Sequence, residues 1–380
     1  MDIAFWEREM GLVNCDVLIV GAGIVGLSAG LALRKLSDQT RITIIDRSPF
    51  SDGGSTRNAG LACFGSPREL LDDVAAHGLD TMLENVTRRL RGLALLRAEL
   101  GEQSIGYVPS GSLELAFDDP HAQFPATNPE EIAWLNAQLA SVTGRPDTFI
   151  PAPDAATHGV AVGAAASVWF SPLEGMLETS RLMLTLERRA AQAGIIIRRG
   201  LHVSALRLQP DGTSELDLQP AFSPPGTTLT ICPPDTLLTI NGLTSTLIGN
   251  ADVERAPNQV IVTEPITGLL PSCPIHAESG YIYARPLPSG QLLIGGGRHW
   301  PDLPPEAREQ RLLSWLRRAI PAAASAQPVM RWTGYLGVGP SKQTRIEAIG
   351  AHTFGAWRLS GIGVATGMEV GRELAHLSRK

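Results

Sequence analysis

The sequence has few of the residues that build metal sites, disulfide frameworks or nucleic-acid surfaces. Its 4 cysteines lie far apart without CxxC spacing, and its 8 histidines form no HExxH-like pair, so neither a disulfide framework nor a metal site is predicted. The 32 lysines and arginines are spread thinly against 38 acidic residues, and the net charge of -6 argues against a nucleic-acid partner. No uncharged apolar run is long enough for a membrane-spanning helix.

The N-terminal segment also lacks the features of a secretion signal. Charged side chains within residues 1–14 interrupt any apolar run that could serve as the hydrophobic part of a signal peptide. Together with the scattered cysteines, this pattern indicates a cytoplasmic protein. A chain of 380 residues that is 43% hydrophobic and 18% charged is typical of a globular protein with two domains.

A nucleotide-binding pattern follows this segment. Asp16–Val20 reads as a buried strand that leads into the turn GAGIVG, then a helical run, then a second strand ending in Asp46. In such a turn Gly21 permits the sharp bend, Gly23 lets the backbone approach a pyrophosphate, and Gly26 lets the helix pack on the strand. A glycine turn alone can have a purely structural cause, but the complete order of strand, turn, helix, strand and acid predicts dinucleotide binding. A carboxylate at Asp46 would accept hydrogen bonds from ribose hydroxyls and repel the 2'-phosphate of NADP.

A second glycine-rich stretch closes the chain. It reads as a strand at Trp357–Leu359, a turn at Gly361 and Gly363, and a helix that carries Gly367 and Gly371. A helix N-terminus there would stabilise negative charge, which a flavin gains on reduction and a nicotinamide does not. The alternative is a purely structural strand-helix unit.

The middle of the chain mixes helices with antiparallel strands. Helices are predicted at Leu177–Ala193 and from Pro129 onward, and strand-like composition occurs at Tyr107–Phe117. The segments TSELDLQP and TTLTICPP read as a hairpin, and TLLTINGLTS as a strand of the parallel sheet. NQVIVTEPI, GYIYARPL and QLLIGGGRHW read as successive strands of an antiparallel sheet that could roof a flavin.

Several of these segments together resemble the FAD-dependent oxidoreductases of the D-amino acid oxidase type, the group that includes glycine oxidase and sarcosine oxidase. The resemblance rests on DVLIVGAGIVGLSAG, GSTRNAGLACFG, QVIVTEP, GYIYARPLPSGQLLIGGGRHW and LSGIGVATGMEVGRELA, and it covers nearly the whole chain. It implies an α/β fold with a Rossmann-like FAD-binding domain, similar to that of glutathione reductase, and an inserted antiparallel substrate domain. The implied domains are 14–105, 166–254 and 331–380 for FAD, and 106–165 and 255–330 for substrate.

The resemblance also implies which residues hold FAD, most simply without a covalent bond. These run along the ADP half, the pyrophosphate and the ring system: Gly21, Gly23, Ile24, Val25, Gly26, Asp46, Arg47, Ser55, Thr56, Arg57, Asn58, Ala59, Gly60, Leu61, Val203, Asn241, Gly242, Gly334, Gly361, Gly363, Val364, Ala365 and Thr366.

Cys63 lies in the small-residue stretch GGSTRNAGLACFGS. Small side chains at Ala59, Gly60, Ala62 and Gly65 let the backbone lie against a flat ring, so Cys63 is interpreted as one more small packing residue. A redox or substrate-facing thiol and a covalent thioether to the flavin are the alternatives.

Candidate substrate contacts lie on the GYIYARP strand. Period-two alternation puts Tyr281, Tyr283 and Arg285 on one face, and a guanidinium offers a bidentate fork to a carboxylate. We predict Tyr283, Arg285 and His299 as catalytic residues, while a solvated outer face is the alternative. Arg298, Arg331 and Trp332 are candidates of second rank.

One segment departs from the family pattern. Amino-acid oxidases of this type commonly carry a carboxylate-binding arginine in a GLRP-like stretch, where this chain has Val338 and Gly339; Lys342 or Arg345 could substitute. The implied reaction is oxidation of an amine or amino acid at a carbon-nitrogen bond by hydride transfer to flavin N5, with oxygen or a quinone or other carrier as electron acceptor. A 2-hydroxy acid dehydrogenase and a non-catalytic FAD-binding subunit of a larger complex are the alternatives.

Overall fold

A computed structural model gives the fold of the protein. It describes residues 14–380 apart from 118–122, 153, 155, 157, 158, 162–164 and 222. Residues 1–13, on which the prediction of no secretion signal rests, lie outside the described residues. No helix within the described ranges combines the length and the apolar character needed to cross a membrane.

The described chain alternates short strands with helices. In chain order the strands are β1 (Val17–Val20), β2 (Ile42–Asp46), β3 (Leu61–Ala62), β4 (Ser112–Phe117), β5 (Ile150–Pro151), β6 (Ala165–Ser171), β7 (Gly175–Met176), β8 (Ile196–Arg199), β9 (Leu201–Leu208), β10 (Ser214–Pro220), β11 (Leu229–Ile231), β12 (Asp235–Leu238), β13 (Glu254–Thr263), β14 (Ile275–Ala277), β15 (Ile282–Pro286), β16 (Leu292–Gly296), β17 (Pro328–Val338), β18 (Arg345–Gly350) and β19 (Thr353–Trp357). The helices are α1 (Ile24–Leu36), α2 (Pro67–His77), α3 (Leu79–Leu100), α4 (Glu102–Ile105), α5 (Pro129–Thr143), α6 (Thr179–Gln192), α7 (Thr244–Leu247), α8 (Pro305–Ala319) and α9 (Gly363–Leu377).

The first sheet is the predicted Rossmann-like sheet. Its strands follow the order β18-β19-β12-β1-β2-β8, and every pairing is parallel except that of β18 with β19. Strand β1 is buried on both faces, which explains its unbroken apolar run. Val17 and Ile19 pack with the helices, whereas Leu18 and Val20 pack against the small antiparallel sheet of β9, β10 and β11.

The second sheet has eight strands in the order β17-β13-β16-β15-β14-β4-β6-β5. Its pairings are antiparallel except that of β14 with β4, as the alternating segments of the sequence predict. Helix α8 covers one face through Leu312 and Leu316. Val260, Val262 and Leu293 pack against Ala59 on the loop that follows the first sheet. The second sheet therefore roofs the end of the first, and the predicted fold class is confirmed.

The domain boundaries stay a prediction, but two strands pair with strands that the prediction placed in the other domain. Strand β17 pairs with β13 along its length, so residues 331–338 belong to the eight-stranded sheet rather than with the FAD-binding strands. Strand β6, at 165–171, pairs with β4 and likewise belongs to that sheet. Backbone pairing with β13 and with β4 continues past each predicted boundary.

Two predicted strands end earlier in the structure than in the prediction, ahead of residues with left-handed backbone conformation. The predicted strand Trp357–Leu359 ends at Trp357, because Arg358 has φ 64° and Ser360 has φ 50°. The strand predicted from TLLTINGLTS ends at Leu238, ahead of Asn241 with φ 49°. Single left-handed residues other than glycine give no clear signal in a sequence.

Helix α3 crosses the C-terminal helix α9 at Gly92. A Cβ at this position would lie 2.0 Å from the backbone oxygen of Ala365. Glycine to alanine in an open helix stabilises by about 0.5–1 kcal/mol, whereas overpacking against backbone destabilises by about 1–3 kcal/mol. We therefore expect Gly92→Ala to lower the free energy of unfolding, measured by urea denaturation.

The matched control for this prediction is Gly249→Ala. A Cβ at Gly249 meets no heavy atom within 4 Å, so this variant should unfold close to wild type. A Gly92→Ala protein as stable as wild type would contradict the close helix crossing.

Candidate functional site

A long groove and an adjoining inner cavity lie where the two sheets meet. The groove is lined by the β1-α1 turn, the end of β2, the loop 51–58, Val203 and the start of α9. The inner cavity lies under the eight-stranded sheet. Both are lined by the shared residues Gly54, Arg57, Asn58, Tyr335, Leu336, Gly361 and Val364. One elongated ligand could therefore occupy both.

The β1-α1 turn forms the first wall of the groove. Gly21 has φ +110° and its N–H donates to the oxygen of Ile45 at 2.8 Å. A Cβ at Gly26 would lie 1.9 Å from the oxygen of Gly21, so this glycine serves helix packing and does not line the groove. The N–H of Ile24 donates to Ser55 Oγ at 3.0 Å, which ties the loop 51–58 to the start of α1.

Asp46 marks the end of the groove at β2. Its Oδ2 accepts from the N–H of Ala22 at 2.8 Å, and its Oδ1 accepts from the N–H of Ser48 at 3.0 Å. Each carboxylate oxygen can accept a further hydrogen bond. The fixed carboxylate therefore suits the hydroxyls of a ribose.

The N-terminus of α9 forms the opposite wall. No side chain caps this helix, and Gly363, Val364 and Ala365 line the groove or the inner cavity. The first-turn N–H groups of a helix lack helical partners and carry partial positive charge. Asn241 holds the preceding turn, since its Oδ1 accepts from the N–H groups of Arg358 and Leu359 at 2.9 and 3.2 Å. This wall favours an anionic or electron-rich ligand edge.

Most residues predicted to hold FAD line the groove or the inner cavity. The exceptions are Gly26, Gly60 and Thr366. A Cβ at Gly60 would lie 2.3 Å from the oxygen of Leu177, so Gly60 is required for packing. Thr366 Oγ1 donates to the oxygen of Ile362 within α9. The glycine turn, the fixed Asp46 carboxylate and the uncapped α9 together fit FAD; that it binds without a covalent bond stays a prediction.

The predicted catalytic residues separate in the structure. Tyr283 lines the inner cavity, and its hydroxyl accepts from Asn258 Nδ2 at 2.7 Å. Burial raises the pKa of Tyr283 to about 12, so the phenol stays protonated at neutral pH. His299 lies outside the inner cavity's lining, with its Nε2 2.6 Å from Glu278 Oε2 and its ring against Trp300.

Arg285 requires a correction. Its guanidinium is buried and does not line the inner cavity. Nη1 donates to the backbone oxygens of Ala59, Gly60 and Leu177 at 3.1, 3.1 and 2.7 Å. The alternation along β15 correctly placed Arg285 on the same face as Tyr283. At Arg285, however, this face lies against backbone carbonyls and not against the cavity. These contacts hold the loop that contains Ala59 and Gly60, and the catalytic role of Arg285 stays a prediction.

The candidate replacements for the missing family arginine are also engaged elsewhere. Lys342 Nζ lies 2.7 Å from Asp73 Oδ1 and 3.2 Å from Glu69 Oε1. Arg345 pairs with Asp252 at 3.2 Å on the surface. Neither lines the groove or the inner cavity.

Sequence reasoning missed several polar residues that line the inner cavity. Four of them are Glu69, Asn258, His276 and Ser279. Burial acts to raise the pKa of Glu69, but the charges of Lys342 and Arg89 outweigh it and lower this pKa to about 2. Each of the four stands alone in its segment, so no local spacing could have identified it.

Cys63 also lines the inner cavity. Its Sγ lies 3.3 Å from His276 Nε2, and burial together with the Glu174 carboxylate raises the pKa of the thiol well above its usual value. A protonated buried thiol is a poor nucleophile. This environment supports the interpretation of Cys63 as a packing residue when no other partner is bound.

The fold, the groove and the inner cavity define an FAD-binding oxidoreductase. Residues 16–377 match the family of FAD dependent oxidoreductases, and the chain belongs to that family. The predicted family and cofactor are thereby confirmed.

The chain is also similar to several known proteins. The chain is 25% identical over 337 residues to a bifunctional ThiO/ThiG protein of Synechocystis, covering 86% of this chain and 46% of the relative. It thus spans about half the length of that curated relative. Glycine oxidase from Geobacillus kaustophilus superimposes with a TM-score of 0.72 at 21% identity, covering 96% of this chain and 94% of the other. Iminodiacetate oxidase from Chelativorans sp. BNC1 gives 0.71 at 18% identity, covering 96% and 95%.

The Arg285 contacts predict a structural rather than a substrate-binding phenotype. Arg285→Gln removes the guanidinium donor that the buried carbonyls of Ala59, Gly60 and Leu177 share, so we expect a loss of about 2–4 kcal/mol in the free energy of unfolding and a lower FAD content. Thermal unfolding and the ratio of flavin to protein absorbance measure these effects.

The control is Arg331→Gln, which breaks an exposed pair with Glu309 at 2.7 Å. It should change stability by less than about 1 kcal/mol. An Arg285→Gln enzyme with full flavin content and unchanged stability, but poor substrate affinity, would instead restore Arg285 as a substrate ligand.

Proposed function

We propose that this protein oxidises a small amine or amino acid that carries a carboxylate, at a carbon-nitrogen bond. FAD, when bound, supplies the hydride acceptor at flavin N5. The inner cavity adjoins the groove at the α9 N-terminus, where a flavin ring would meet a substrate. The printed names of the structural neighbours, glycine oxidase and iminodiacetate oxidase, support a small amino-acid-like substrate.

The observation that carries this proposal is Arg298. Its guanidinium lines the inner cavity and lies over the Tyr281 ring, 4.5 Å from the ring centroid. Among the described residues Arg298 has no salt-bridge partner, in contrast to Lys342 and Arg345. A guanidinium that stacks on an aromatic ring presents the N–H groups along its edge, which can donate to a carboxylate. Arg298 thus takes the role that the sequence assigned to Arg285.

Arg298 also lies close to the turn that precedes α9. A Cβ at Gly361 would be 3.2 Å from Arg298 Nη1, and Nη1 is 3.5 Å from the oxygen of Ser360. A carboxylate bound by Arg298 would therefore lie beside the turn that precedes α9.

Other residues of the cavity would orient the substrate and exclude water. Tyr283 keeps its proton and is fixed by Asn258, so its hydroxyl can donate to a substrate oxygen or nitrogen. Leu61 and Ile362 supply apolar wall. Exclusion of water strengthens the contact between Arg298 and a carboxylate.

The reaction class is tested by anaerobic titration of the oxidised enzyme. We expect the flavin absorbance to bleach with amino acids or carboxylate-bearing amines, and not with the same amines lacking a carboxylate. Readmitted oxygen then shows whether oxygen reoxidises the flavin. Bleaching by 2-hydroxy acids alone would replace the proposal with a hydroxy acid dehydrogenase, and no bleaching with any of these would indicate a non-catalytic subunit.

The role of Arg298 is tested by Arg298→Gln. Loss of a charged hydrogen-bonding partner should cost about 2–3 kcal/mol, or roughly 30- to 150-fold in kcat/KM, chiefly through KM. Steady-state kinetics on the substrate found in the titration measures this change.

The matched control is Arg311→Gln. Arg311 is exposed and also lies over an aromatic ring, that of Trp300 at 4.8 Å, but it lines neither space. Its kinetics should equal those of wild type. Equal kinetics for Arg298→Gln and wild type would remove the carboxylate anchor from the proposal.

A further inference from the structure

Three potential metal ligands converge beside the inner cavity. Cys63 follows β3, Glu174 precedes β7, and His276 lies on β14. Cys63 Sγ is 3.3 Å from His276 Nε2, and His276 Nε2 is 3.9 Å from Glu174 Oε2. The ligand atoms of all three lie within 4.8 Å of one another. Within the described part of the chain, no other His, Cys, Asp or Glu residues form such a group of three.

These three groups match the preferences of zinc. Thiolate, imidazole and carboxylate are its usual protein ligands, at about 2.3, 2.0 and 2.1 Å. Tetrahedral angles then place the ligand atoms roughly 3.3–3.6 Å apart. The separations from His276 Nε2 to Cys63 Sγ and to Glu174 Oε2, 3.3 and 3.9 Å, lie within about 0.5 Å of this range, and all three ligand atoms lie within 4.8 Å of one another.

The surroundings of Glu174 orient its carboxylate. Its Oε1 accepts from the N–H groups of Phe64 and Gly65 at 2.6 and 3.1 Å, and its Oε2 accepts from the Ser112 hydroxyl. Oε2, the oxygen nearer His276, can accept a metal on its second lone pair while Ser112 stays bonded. Fixed hydrogen bonds to a ligating carboxylate are typical of metal sites.

The fourth coordination position would face the inner cavity. Cys63 and His276 line that cavity, whereas Glu174 is fully buried behind them. Three protein ligands and one open position are the arrangement of metal sites that hold a water or a small ligand. A thiolate and a carboxylate together carry two negative charges, which a divalent cation balances.

We propose that Cys63, Glu174 and His276 bind a divalent cation of the zinc class, with the open coordination position directed into the inner cavity. Spacing in the sequence predicted no metal site, because the three ligands come from segments far apart in the chain. Metal binding by these three residues depends neither on the proposed substrate nor on Arg298, so the metal site and the proposed function can fail independently.

The test is titration of the tag-free holoenzyme with cobalt(II), followed by displacement with zinc. We expect one cobalt ion per chain, with intense ligand-field bands of tetrahedral cobalt at longer wavelength than the flavin absorbance. Cys63→Ser and His276→Gln should each weaken binding by more than about 100-fold, since loss of a direct ligand exceeds the effect of losing an outer-shell partner.

Two other cysteines provide matched controls. Cys273→Ser removes a buried thiol and Cys232→Ser an exposed one, and neither residue belongs to the group of three. Both variants should keep the cobalt spectrum of wild type. Flavin content and circular dichroism identify any variant that fails to fold.

X-ray absorption of zinc-loaded protein provides an independent measurement that needs no variant. One sulfur at about 2.3 Å with nitrogen or oxygen at about 2.0–2.2 Å supports the site. Absence of binding, octahedral cobalt without a sulfur ligand, or binding unchanged in both Cys63→Ser and His276→Gln would overturn the proposal.

Discussion

Backbone contact between the first and last helices is the constraint on which the flavin site depends. A Cβ at Gly371 would lie 2.6 Å from the oxygen of Val25, and a Cβ at Gly367 would lie 2.6 Å from Ile24 Cγ2. Only glycine allows α9 to lie this close to α1. The contact brings two helix N-termini from opposite ends of the chain to one groove, where their partial positive charges act on one ligand.

A second set of contacts fixes the position of the eight-stranded sheet relative to the groove. Arg285, on β15, bonds the carbonyls of Ala59, Gly60 and Leu177, and Trp332 Nε1, on β17, donates to the oxygen of Arg57 at 3.1 Å. The loop between these contacts lines both the groove and the inner cavity. The groove and the inner cavity are therefore positioned by the same loop, so disturbing either sheet should affect both.

The sequence predicts local chemistry well and distant partners poorly. The β1-α1 turn, Asp46 and the α9 turn could be identified because each depends on a few adjacent residues. Alternation on β15 gave the correct face for Tyr283 and Arg285, but it could not show that Gly60 and Leu177 lie opposite Arg285. His276 and Glu69 reach the cavity only through tertiary contacts, and isolated residues of that kind give no spacing signal.

The surroundings of Gly339 leave no room for the arginine of the family pattern. A Cβ there would lie 2.5 Å from Arg358 Cδ and 2.5 Å from the oxygen of Asp252. The buried Arg358 side chain, which bonds Asp252 Oδ2 at 2.6 Å, occupies the adjoining space, so an arginine at position 339 has no room.

Charge balance then limits where a substrate carboxylate could bind. Lys342 and Arg89 face the buried acids Glu69 and Asp73, so their charges are already compensated within the protein. Removing either cation from that cluster would leave a buried carboxylate unpaired, which is strongly destabilising. Among the described residues, Arg298 pairs with no acidic side chain, and it lies on an aromatic ring at the cavity wall. A chain without the family arginine near the end of β17 is therefore compatible with a carboxylate substrate, because Arg298, just after the end of β16, offers a cation to the same cavity.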